Sequence, residues 1–166
     1  MRFLPRRRWD PQPTAPARVL LASDGSRGFG ARAVARATAL AESGPVAVVT
    51  IARVHGSSLG LPYPGLLPTQ TEMKERLGWV GDAVSRLERQ GIEADGQVAS
   101  TRRPARLIAG VARMRGVRAV VMEASSSGGW RRLVEGDVAT EVAGRLGKRG
   151  ITVEIVPAAK GSGRKV

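Results

Sequence analysis

The chain has no cysteine and a single histidine, His55. Disulfides and thiolate metal ligation are therefore excluded, and a zinc site would have to rest on carboxylates. Aromatic residues make up only 4% of a sequence that is 42% hydrophobic, so a core must be built from Val, Leu, Ile and Ala. That composition suits a parallel sheet covered by helices on both faces. No window approaches a membrane span, and MRFLPRRRWDPQPTAPA lacks the apolar run of a signal peptide. The expected location is the cytoplasm. GSRGFG (25–30) lacks the G-x-G-x-x-G spacing, and G-x4-G-K-[ST] does not occur. These absences argue against a nicotinamide dehydrogenase and a P-loop enzyme.

Positive charge is in excess, with 27 Lys and Arg against 14 Asp and Glu. Arg2, Arg6, Arg7 and Arg8 stand against Asp10 alone in 1–17, a stretch that also carries four prolines. It reads as a disordered arm, and the tail AAKGSGRKV reads the same way. Between them lies one domain, 18–157, long enough for a real core. A basic surface holds polyanions loosely without a dedicated site. No aromatic platform accompanies the charge, so nucleic acid is expected only as a non-specific partner.

The domain alternates strand and helix patterns. RVLLAS (18–23) is a strand closed by the turn signal Asp24-Gly25-Ser26. In 28–43, Phe29, Val34, Ala37, Leu40 and Ala41 fall near one helical face, and PVAVVTIARV (45–54) reads as a strand buried on both faces. A Gly/Pro-rich loop (55–70) follows. Met73, Leu77, Val80, Val84 and Leu87 then mark an amphipathic helix of about five turns. IEADGQVAS (92–100) is a weakly alternating strand. Pro104 can open a helix with Leu107, Ile108, Val111 and Met114 inward. VRAVVME (117–123) is a strand. Val138, Val142 and Leu146 align on a helix from about Asp137 to Lys148, and ITVEIVP (151–157) is the last strand. The pattern predicts an α/β fold, a doubly wound, Rossmann-like five-stranded parallel sheet with four helices. Such sheets bind ligands beyond the carboxyl ends of the strands, where strand order reverses. The turns Asp24–Ser26 and Glu123–Gly129 should meet there.

RVLLASDGS, PARLIAGVARMRGVRAVVME and GGWRRLVEGDVATEVAGRL together resemble the universal stress protein family over about residues 18–157. The resemblance implies that fold, a habit of dimerising near the last strand, and branches that do or do not bind ATP. The binding branch carries G-x2-G-x9-G-[ST]. The matching positions are Glu123, Ser126, Gly136 and Asp137, of which only Gly136 keeps the pattern. By the same resemblance Asp24 stands where the family's adenosine-contacting Asp lies, Gly129 matches a family glycine, and Trp130 fills an apolar position.

The departures have a physical meaning. A helix N-terminus attracts anions through unpaired N–H groups and partial positive charge. Asp137, when ionised, cannot donate to a phosphate but can cap the helix itself. Glu123 places a second acid at the strand end. Arg131, Arg132 and the donors of SSSGG pull the other way. A ligand site would comprise Asp24, Ser125, Ser126, Gly128, Gly129, Arg131, Arg132, Gly136, Asp137 and Val138. The reading is a non-catalytic stress-response or regulatory module, a homodimer through its C-terminal strand, with no required cofactor, ATP possible as ligand and its binding impaired. Two alternatives remain open: a protein in which Glu123 and Asp137 recruit Mg²⁺ with ATP, and a polyanion-binding accessory protein using its basic arms. Locally, Asp24 can equally be a turn residue. Ser26, His55 and Asp24 form a nucleophilic triad only on paper, and Trp79 covers a helix rim or a partner.

Overall fold

The computed structural model describes residues 13–54, 67–124 and 137–158. Within them five strands alternate with four helices: β1 Val19–Ser23, α1 Ala31–Ala41, β2 Val46–Arg53, α2 Gln70–Arg89, β3 Ala94–Thr101, α3 Pro104–Met114, β4 Ala119–Glu123, α4 Val138–Gly147 and β5 Thr152–Val156. All strand pairs are parallel, in the order β3-β2-β1-β4-β5. The α/β fold read from the periodicity is therefore the observed one, and the order reverses between β1 and β4.

The period-two alternation of each strand feeds two cores. Leu20, Val49, Ile51, Val120 and Met122 pack with Ile108, Val142 and Leu146 beneath α3 and α4. Val19, Leu21, Val48 and Val121 pack with Val34, Ala37, Val80 and Leu87 beneath α1 and α2. Trp79 covers the rim of the second core and lies against Gly28. Local signals set the helix ends. Thr69 and Glu72 form a reciprocal capping box on α2, Pro104 stands in the first turn of α3, and Gly91 closes α2 at φ +77°.

Two departures from the sequence reading have clear causes. Helix α1 starts at Ala31 rather than at residue 28, because Gly30 is still extended (φ −73°, ψ 160°). Phe29 is buried all the same, and its carbonyl accepts from Arg86 Nη2 at 2.5 Å. Met114, expected inward, is 52% exposed. Helix α3 turns its small residues Ala105, Ala109 and Ala112 to the core beside Ile108. Its other apolar edge, with Leu107 and Met114, is left toward the flank of β3.

Arg115 ends that alanine stripe and is 1% exposed. Its guanidinium donates to both carboxylate oxygens of Asp95, at 2.9 and 2.5 Å, and to the carbonyls of Pro13 and Ala15. The Arg115 carbonyl in turn accepts from the Ala17 N–H at 2.9 Å. Residues 13–17, counted with the arm in the sequence reading, are thus tied to the domain.

Candidate functional site

The carboxyl ends of β1, β2 and β4 meet at the reversal point, and the turn after β1 is built by its own polar groups. Gly25 N–H donates to Ser23 Oγ at 3.1 Å, and that hydroxyl donates to the Arg27 carbonyl at 2.9 Å. Ser26 donates twice to Asp24 Oδ1, from its N–H at 2.9 Å and its hydroxyl at 2.6 Å. Asp24 is therefore an Asx-turn residue, and its other oxygen lies 3.5 Å from Arg53 Nη2. Ser26 Oγ is thus engaged by Asp24 within the turn, and His55 lies outside the described residues.

Gly25 sits at φ +85°, and a Cβ there would lie 1.9 Å from the Ile51 carbonyl oxygen. Only glycine allows the β1 turn to approach β2 this closely. Arg76, from α2, binds across the contact, donating to Ile51 O at 3.2 Å and to Gly25 O at 3.1 Å. The guanidinium also stacks over Trp79 at 5.2 Å.

Carboxylates occupy two helix starts at this edge. Glu123, the last residue of β4, accepts from the Gly30 N–H at 2.7 Å, directly at the N-cap of α1. Asp137 caps α4, accepting from the Ala139 N–H at 3.2 Å and from Thr140 Oγ at 3.0 Å. The space between the β1 turn and Glu123, bounded by Ser23, Asp24, Ser26 and Phe29, is about 20 Å³, room for roughly one water. Beside it, on the α3/α4 face, a cavity of about 360 Å³ is lined by Arg53, Arg102, Arg103, Val138, Glu141 and Arg145, among others. Arg145 is held by Glu141 at 2.8 Å and Arg53 by Asp24. Among the described residues, no hydrogen bond or ion pair engages the side chains of Arg102 and Arg103.

Of the residues expected at the site, Asp24, Asp137 and Val138 are described, and all lie at this edge. Val138 lines the larger cavity and Asp24 the smaller. Ser125, Ser126, Gly128, Gly129, Arg131, Arg132 and Gly136, with Trp130, lie outside the described residues. The sequence reading missed Arg53, Arg76, Arg102, Arg103 and Arg145. Arg76 carried a signal, being an arginine on the inward stripe of α2 between Met73 and Val80. Arg53, Arg102 and Arg103 carried only their position at strand ends. Among the described residues, no group of three or more His, Asp or Glu is placed to hold a metal ion. No described helix is long and apolar enough to cross a membrane.

A parallel sheet of this order, with polar turns gathered at the reversal point, defines an α/β module of the Rossmann-like class. A model of the universal stress protein family matches residues 17–147, and the chain belongs to that family. Among solved structures, a universal stress protein family member from Burkholderia pseudomallei is similar at 19% identity and a TM-score of 0.58, over 84% of this chain and 96% of that one. A universal stress protein from Archaeoglobus fulgidus is similar at 17% identity and a TM-score of 0.60, over 85% and 94%. One from the same organism, in complex with dAMP, is similar at 18% identity and a TM-score of 0.52, over 86% and 96%. No curated protein matches the sequence.

Proposed function

We propose that this protein is a non-catalytic regulatory module of the stress response whose nucleotide site is impaired for ATP by its own carboxylates. Family membership supports the stress-response role. The observation that carries the rest is the pair of filled helix starts, Glu123 on the Gly30 N–H and Asp137 on the Ala139 N–H. These are donors and partial positive charges of the kind a phosphate would use. A carboxylate ~4 Å from one phosphate charge opposes it by up to about 4 kcal/mol at an effective dielectric of 20, nearly three decades of affinity. The functional unit is residues 18–157, with residues 13–17 tied to it through Arg115 and basic segments beyond. It works in the cytoplasm and pairs as a homodimer along β5, an edge strand on which Ile155 is exposed.

One observation favours a second reading, in which nucleotide is bound after all. The arginine-lined cavity of about 360 Å³ is within the range of small-ligand pockets, and the solved relative from Archaeoglobus fulgidus holds dAMP. With Mg²⁺ between them, Glu123 and Asp137 would become ligands rather than repelling groups. Calorimetric titration with ATP, with and without Mg²⁺, at about 0.15 M salt, on the parent and on Asp137→Ser separates the two. The first reading expects no binding by the parent and a gain in the variant. Tight binding by the parent only with Mg²⁺ would overturn it.

A further inference from the structure

The flank of β3 forms a second feature, on the sheet edge opposite β5. Glu93 O and Thr101 O accept from Val46 and Val54, at β2 and just past its end. By the alternation of a parallel ladder, residues 95, 97 and 99 also face β2. The main-chain groups of Gly96, Val98 and Ser100 are then directed away from the sheet. Beside this edge runs a groove of about 880 Å³ between β3 and α3. Gln97, Ala99 and Thr101 form its floor, and Leu107 and the exposed Met114 its wall. Gly110 opens the wall further, since a Cβ there would meet nothing within 4 Å.

The charge of the groove is of one sign. Arg102, Arg103, Arg106 and Arg113 line it, and no carboxylate does. Among the described residues, no hydrogen bond or ion pair engages any of these four guanidinium groups. We propose that the β3–α3 groove is a docking site for an extended acidic segment of a partner protein, which adds to the sheet as a strand beside β3. The outward main-chain groups of Gly96, Val98 and Ser100, which bond to no other described residue, supply the backbone ladder, Leu107 and Met114 take apolar side chains, and the arginines select Glu and Asp. A single-stranded nucleic acid fits less well, because no aromatic side chain lines the groove to stack a base. The basic segment 1–12 matches its charge poorly, with four arginines against Asp10.

The test uses the full chain and a fluorescein-labelled octapeptide in which Glu and Val alternate in pairs, so that each face of the strand carries both, followed by anisotropy at about 0.15 M salt. Arg106→Glu with Arg113→Glu should weaken binding by about tenfold or more, as attractive pairs become repulsive. Ser100→Pro removes an outward N–H while leaving the β2 side intact, and should weaken binding by about fivefold with an unchanged melting temperature. Methylating alternate peptide amides, which leaves the protein untouched, should abolish binding in one of the two alternations. Binding that falls with the arginine reversal but ignores both Ser100→Pro and amide methylation would overturn strand addition. Tighter binding of a twelve-residue oligothymidylate, lost with the same arginine reversal, would overturn the acidic peptide in favour of nucleic acid. A gain of about tenfold on deleting residues 1–12 would make that arm the occupant and overturn the external partner.

Discussion

Replacing Glu123 by Gln isolates the charge at the start of α1. The side chain keeps its length and an acceptor oxygen for the Gly30 N–H, now 2.7 Å from Glu123 Oε1, so the hydrogen bond can survive. What is lost is the attraction between a carboxylate and the helix N-terminus, about 1 kcal/mol at a partly buried end. For a domain of this size that lowers the melting temperature by about 2–4 °C. The same substitution removes one repelling charge from the edge where a phosphate would lie. The affinity for ATP should therefore rise, by up to about three decades if the charge is within ~4 Å and by less if farther. Gly30→Ala reaches the contact from the other side, because the new Cβ would lie 2.1 Å from Glu123 Oε1 and the flexible carboxylate must move away. Thermal unfolding by circular dichroism and calorimetric titration read the two effects separately. If Glu123→Gln melts at or above the parent temperature and leaves ATP affinity unchanged, neither a stabilising nor an excluding role for this carboxylate survives.

Other perturbations test the frame around the site. Asp95→Ala should destabilise more than Arg115→Met, by urea unfolding. The first strands a guanidinium that is 1% exposed, whereas the second leaves a carboxylate whose side chain is 36% exposed and can take up water. The expected losses are about 3 and about 2 kcal/mol, and equal losses would refute the burial argument. Gly25→Ala should destabilise by at least about 2 kcal/mol, since it combines a positive φ with main-chain overlap at Ile51. A loss below about 0.5 kcal/mol, the scale of an ordinary surface substitution, would show that the turn can relax. Hydrogen bonds from Arg36 hold the Glu154 carboxyl below its ordinary range, against a smaller opposing effect of burial and with the charge of Arg36 assisting. A depressed native value means stability that is present above the unfolded value, about pH 4.3, and is lost as pH falls through the native one. The melting difference between parent and Glu154→Gln should accordingly shrink in acid, and a difference that grows there would reverse the sign.

The order of elements, the parallel sheet and most of the core were legible in the sequence, because strand and helix bury apolar residues at periods of two and 3.6. Pro104 and Asp137 were equally local, the first lacking an N–H that would go unpaired in the opening turn and the second accepting from its own first turn. The Thr69–Glu72 capping box is as local but was passed over within the 55–70 loop. The face of α3 was legible in part: Ile108 and Val111 are buried as expected. A stripe drawn through the largest apolar residues also puts Met114 inside, whereas the helix approaches the sheet with Ala105, Ala109 and Ala112 as well and leaves Met114 exposed. Glu123 stood out as an acid in a glycine position. That it reaches the start of α1 depends on β1 and β4 being neighbours, 93 residues apart at the contact with Gly30. The arginines of the edge are the limiting case. Their number is written in the composition, but which are paired, buried or open to a ligand is decided by distances between segments remote in sequence. Tertiary structure alone sets those distances.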